Sequence, residues 1–450
     1  MKKWVLLVLV SFAASFSPLH AADLNFSGDF RVRGFYGENL ADANDAADDS
    51  LAFSDARFRL KISATAGIAT AVTVVDYSNA YNEPGNDCAD GAGAADVCAT
   101  GNQRFGAANF GGSYGVVGVR EAYFKLDMGT THFAFGRKPF KLGNSLVLDD
   151  TMDAIAVKVE ARPVDFVLAT GKLHDSNATG TTGNTGDDTD LYLLKADFTH
   201  DHPRVESVYG GPHTVGLFLA YMKDRGPTFS TADDKTEFTV YGATASGVFG
   251  PVNAIFEVDV LEGEQKNQGP DVGLSGLNLL AGVGTKVGGA QVDLTLLRTS
   301  GEEPDDADDT NINGISGNYV LGNILGNSNI NGGREGKCAS VKGSRIGTGG
   351  ASCVGGLGYT AVKLGMDLPN MPQNCTGDVA FIWARTTENA SLTAEKDLGI
   401  ELDANMTHRL DEHVSVSVNL GYLFSGDAWK TIGPGDDDQI KGVASIQYTF

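Results

Sequence analysis

Polar and apolar positions alternate with a period of two along most of this chain. In Leu24–Tyr36, residues Leu24, Phe26, Phe30 and Val32 share one parity, and Arg31 and Arg33 the other. In Asp55–Ala66, residues Phe58, Leu60 and Ile62 oppose Arg57, Arg59 and Lys61. Such alternation puts the two sets on opposite faces of a β-strand. The same reading predicts strands over Ala69–Ser78, Val116–Met128, His132–Lys141, Ala154–Ala161, Asp165–His174, Leu191–Phe198 and His213–Lys223. It continues with Glu237–Phe249, Val252–Leu261, Leu277–Val287, Ala290–Thr299, Tyr359–Leu368, Asp378–Arg385, Leu398–Thr407, Val414–Phe424 and Gln439–Phe450. Most segments have the roughly ten residues that a tilted strand needs to cross a bilayer.

About 18 strands (16–18) result, and their connections alternate between short turns and long acidic loops. An even number returns both ends of the chain to one side. In a bilayer no water satisfies backbone groups at an open sheet edge, so the ring must close. The expected fold class is therefore all-β: a transmembrane, antiparallel, up-and-down β-barrel with short periplasmic turns and long extracellular loops. Glycine is 58 of 450 residues and charged residues 20%, a composition that suits barrel strands and turns and is not that of a disordered chain.

Residues 1–22, with Lys2 and Lys3 before a short apolar run and small residues, read as a signal peptide. Residues 23–450 then form one barrel domain, with 300–357 as a long loop that is either extracellular or folded into the lumen. Within it, Tyr319–Leu325 is the apolar island expected to pack inside. The last strand ends in Tyr448 and Phe450. It resembles the final strand of bacterial outer-membrane barrels, which the barrel-assembly machinery reads. That resemblance implies the Gram-negative outer membrane, with membrane lipid and lipopolysaccharide as neighbours; a homo-oligomer is compatible with it.

The net charge of −23 excludes nucleic-acid binding as a property of the whole chain. The acids cluster between predicted strands, as at Asp42, Asp45, Asp48 and Asp49 or Asp436–Asp438. They read as solvated loops, or as weak cation sites bridging to lipopolysaccharide phosphates. Five cysteines in an exported chain permit disulfides, and proximity pairs Cys88 with Cys98 and Cys338 with Cys353, leaving Cys375. No cofactor or metal motif and no catalytic constellation is present, so the chain does not read as an enzyme.

Charges on the inward parity carry the candidate chemistry. Arg31, Arg33, Arg57, Arg59 and Lys61 form a basic ladder, which Lys125, Lys138 and Lys158 extend; the parity of Arg137 is ambiguous. Facing lipid, each would cost about 2–4 kcal/mol at the midplane, so they are placed inward. Glu257, Asp259, Asp293, Asp378, Glu401 and Asp403 would face them across the lumen. Either the two sets neutralise each other, or they set up a transverse field that attracts anions.

Phe133–Val157 (FAFGRKPFKLGNSLVLDDTMDAIAV), with SGDFRVRGF and DARFRLKIS, resembles the alginate-export family of barrels and related porins. The resemblance covers about the first third of the chain and implies an 18-stranded channel with an Arg-lined lumen favouring anionic solutes. The turn His408–His413 is short where alginate exporters carry a long plugging one. A porin for small hydrophilic, anionic solutes therefore ranks first and a polysaccharide-export channel second. A sheath around a periplasmic electron carrier ranks third.

Overall fold

The computed structural model describes residues 23–40, 50–81, 116–175, 188–200, 213–224, 235–266, 271–301, 309–311, 314–315, 319–325, 358–388, 395–432 and 435–450. The expected signal peptide and both cysteine pairs lie outside them.

Eighteen antiparallel strands form one closed ring. They are β1 (Asp23–Glu38), β2 (Leu51–Ala66), β3 (Ala69–Tyr81), β4 (Val116–Met128), β5 (Thr131–Leu142), β6 (Leu148–Ala161), β7 (Val164–Asp175), β8 (Asp188–His200) and β9 (His213–Asp224). The ring continues through β10 (Lys235–Phe249), β11 (Val252–Lys266), β12 (Val272–Val287), β13 (Ala290–Thr299), β15 (Tyr359–Asp367), β16 (Cys375–Thr386), β17 (Asp397–Arg409), β18 (Val414–Ser425) and β19 (Gln439–Thr449). The three-residue β14 (Asp309–Asn311) lies parallel to β12 and outside the ring sequence. Every expected strand is present. Several run further into the long-loop rim than alternation alone indicates, because hydrogen bonding continues where apolar residues give way to polar ones.

The outward parity carries Leu24, Phe26, Phe30, Leu168, Leu217, Leu294 and Leu402, all exposed. In water that pattern would be costly; in lipid it is the ordinary surface of a barrel. Inward residues of β5 to β12 are instead buried, among them Met152, Leu191, Phe218, Phe238 and Leu261. Leu217 lies midway along β9 at 59% exposure. Leu217→Lys is expected to destabilise the bilayer-embedded barrel by about 2–4 kcal/mol, measured as a shift in the urea unfolding midpoint.

The ring closes where β1 meets β19, from Asp29 opposite Thr449 to Glu38 opposite Ile440. Beyond the ladder, Gly28 N–H donates to the Phe450 carbonyl at 2.9 Å, and Phe450 N–H donates back at 3.1 Å. The Phe450 ring stacks on Phe58 of β2, centroids 6.3 Å apart. In the short turn between β17 and β18, the His413 and Val414 N–H groups hold the Asp411 carboxyl below its usual range.

Candidate functional site

The basic ladder sits where the first two strands pair. Arg31 lies opposite Arg57, Arg33 opposite Asp55 and Asp29 opposite Arg59. Three of the four arginines have carboxylate partners. Arg33 Nε donates to Asp55 at 2.9 Å, Arg57 bonds Asp29 at 2.6 Å and Arg59 bonds Asp76 at 2.8 Å. Arg120 stands 3.9 Å from Asp76 as well. A bulge at Val74/Val75 displaces the register of β3 against β4 beside that residue. Arg31 makes no ion pair among the described residues and lies between Arg33 and Arg57. The side chains of Arg33, Arg57 and Arg59 retain 32%, 21% and 25% exposure, so this wall meets the lumen.

Lys61 and Lys125 are inward without ion pairs among the described residues. Lys138 lies 4.5 Å over the Phe140 ring. Lys158, near the short-turn rim, is held by Glu160 at 2.7 Å and Asp165 at 3.1 Å. Arg137 falls on the outward parity and pairs with Asp153 at 3.0 Å.

Of the six acids read as an opposing wall, four are inward but covered, whereas Asp293 and Asp378, also inward, stay part-exposed. Glu257, Asp259 and Glu401 have no exposed surface and Asp403 only 5%. Two inserted segments cover them. After β5, Gly143–Val147 bends into the barrel, and Asn144 donates its N–H at 2.6 Å and its amide at 2.7 Å to Glu257. The Gly143 backbone, at φ +60°, passes so close to that carboxylate that a side chain would collide with it. Asp259 accepts from the Asn278 amide at 3.4 Å.

Tyr319–Leu325 fills the lumen on the side of β15 to β19. Ile324 and Leu325 each donate a backbone N–H to Glu401 at 2.7 Å, and Asn323 donates to Asp403 at 3.1 Å. Lys363 donates to the Leu321 carbonyl at 2.7 Å, and Lys441 to that of Asn323. At Gly322 a Cβ would lie 2.6 Å from Ile382 and 2.7 Å from the Glu401 oxygens, so the turn needs glycine. Leu321, Ile324 and Leu325 pack with Leu280, Ile382, Leu398, Leu423 and Trp429. Ile315, four residues before the second segment, donates its N–H to the Val147 carbonyl at 2.8 Å. Burial, with the Glu257 carboxylate nearby, pushes the Tyr319 phenol up to about 12.

The acids of β11 and β17 therefore anchor the constriction, whereas the arginines of β1 and β2 keep contact with the lumen, as do Asp293, Asp378 and the Lys195–Asp197 pair. Parity identifies Asp29 and Asp55 as inward counter-ions. Arg120, Asn144 and Asn323 carry no periodic signal, since a bulge and two loops place them. Cys375 begins β16 on the outward parity, a free thiol with Sγ 3.0 Å from His408 Nδ1.

No sequence-family model matches the chain, and no curated protein matches it by sequence. Solved structures do match. OccK2 (OpdF) of Pseudomonas aeruginosa gives a TM-score of 0.55 at 11% identity over 95% of this chain and 98% of that one. OccAB1 of Acinetobacter baumannii gives 0.53 at 10% over 95% and 97%. OpdK of Pseudomonas aeruginosa, solved with vanillate, gives 0.52 at 12% over 95% and 98%. The chain thus has the fold of the 18-stranded outer-membrane porins.

Proposed function

We propose that this barrel is a passive outer-membrane channel for small hydrophilic solutes, with a preference for anions. The observation that carries the preference is the asymmetry of the lumen. The basic wall is open and contains Arg31, which makes no ion pair among the described residues, whereas Glu257, Asp259, Glu401 and Asp403 lie under the inserted segments. A solute passing the β1–β2 wall meets guanidinium groups there. Arg keeps its charge at any working pH and binds carboxylates or phosphates in a fork, which suits small organic acids. We assign Tyr448 and Phe450 to recognition by the assembly machinery, since the terminal aromatic sits at the closing seam.

The test is the reversal potential of the purified chain in a planar bilayer under a salt gradient. It should carry the sign of anion preference. Arg31→Gln should lower the anion/cation permeability ratio by up to about five-fold, the local enrichment that about 1 kcal/mol from a unit charge 4 Å away produces in water. A cation-selective wild type, or no change in the variant, refutes the assignment.

A further inference from the structure

Charged residues also stand on the lipid-facing parity. From β5 to β10 they form a row of register partners with alternating sign: Arg137, Asp153, Lys172, Asp190, Lys223 and Glu237. This row neutralises itself, with Arg137–Asp153 at 3.0 Å and Lys223–Glu237 at 3.1 Å.

The other half of the outer wall differs. Arg298 of β13 pairs in register with Thr360 of β15, and Thr360 with Arg385 of β16. Both arginines are exposed, on the same parity as the lipid-facing Leu294, Leu296 and Phe381. Neither makes an ion pair or hydrogen bond among the described residues. The one register neighbour of opposite sign, Asp397 beside Arg385, accepts from the Gly399 N–H at 3.2 Å. A lipid-facing cation costs about 2–4 kcal/mol at the midplane and about 0–1 near the interface. Arg298 and Arg385 stand one residue from the long-loop ends of their strands. Trp383, two residues further from the rim on the same parity as Arg385, belongs to a residue type enriched at that boundary. Two strand spacings put the two arginine backbones about 10 Å apart. Two guanidinium forks there, without a carboxylate partner among the described residues, match an anion of the headgroup layer.

We propose that Arg298 and Arg385, with Thr360 between them, form a docking site on the outer wall for a phosphorylated lipid headgroup of the leaflet at the long-loop rim. The full barrel in nonionic detergent is titrated with diphosphoryl lipid A, with the same lipid after dephosphorylation, and with inorganic phosphate, following the thermal unfolding midpoint. Wild type should bind the diphosphoryl lipid and be stabilised by it. The double variant Arg298→Gln/Arg385→Gln should bind about 25-fold more weakly, about five-fold for each arginine removed. Lys223→Gln, in the self-neutralised row, should bind as wild type does, and conductance of the double variant should be unchanged. Equal affinity in wild type and double variant overturns the proposal, and so does an equal shift with inorganic phosphate. If the glutamine variant does not fold, equal binding of phosphorylated and dephosphorylated lipid by wild type overturns it. Because conductance is read separately, failure of the lipid site is distinguishable from failure of the channel assignment.

Discussion

Replacing Arg31, Arg33, Arg57 and Arg59 together by glutamine is expected to invert the ion preference of the channel, not merely to weaken it. Three of these arginines sit on carboxylates, Asp55, Asp29 and Asp76. Removing the cations leaves Asp29 and Asp55 part-exposed on the lumen side and Asp76 beneath them, with Arg120 and Lys61 on neighbouring positions. The wall then changes from net positive to net negative, and its effect on a passing ion changes sign. A companion variant that also carries Asp29→Asn, Asp55→Asn and Asp76→Asn should be close to unselective. Reversal potentials in a salt gradient decide between the two. If the quadruple variant remains as anion-selective as wild type, the ladder does not line the conducting path.

Glu401→Ala is expected to release the lumen segment Tyr319–Leu325. Its carboxylate is the acceptor for two buried backbone N–H groups. Each such charge-assisted bond contributes about 1.5–3 kcal/mol, so about 3 kcal/mol or more is lost. That raises the displaced population about a hundred-fold. Single-channel traces should show a long-lived state of higher conductance that is rare in wild type. Glu257→Ala should free Gly143–Val147 in the same way. Because Ile315, just ahead of the second segment, bonds Val147 of the first, the two substitutions should not be additive. Traces indistinguishable from wild type in both variants would show that neither carboxylate holds the constriction.

Alternation makes the strands and their facing legible in the sequence, because a period of two is fixed by the pleat wherever one side meets lipid. Arg31, Arg33, Arg57 and Arg59 are readable as inward for that reason. What parity cannot convey is what covers an inward residue. Glu401 and Arg57 look equivalent along the chain, yet one lies beneath a loop and the other beside open lumen. That difference depends on a segment about eighty residues from Glu401, whose apolar island is visible but whose docking partner is not. Arg120 and Arg137 show the other limit. Arg120 adjoins the β3–β4 bulge beside Asp76, and Arg137 finds its counter-ion on the outward side. Arg298 and Arg385 follow the alternation faithfully and stand out only once no acid among the described residues is found paired to them.

The seam between β1 and β19 has a bearing on biogenesis. Residue 29 meets residue 449, so the contact that finishes the ring joins positions nearly the whole chain apart. Until the last segment has been delivered, the first strand offers an unsatisfied row of hydrogen-bonding groups to whatever holds it. Loop closure over that span is slow, and a partial sheet inside hydrocarbon is untenable. Both margins of a nascent barrel of this kind stay open until that contact forms, and a product truncated before Gln439 should be degraded, having no way to seal.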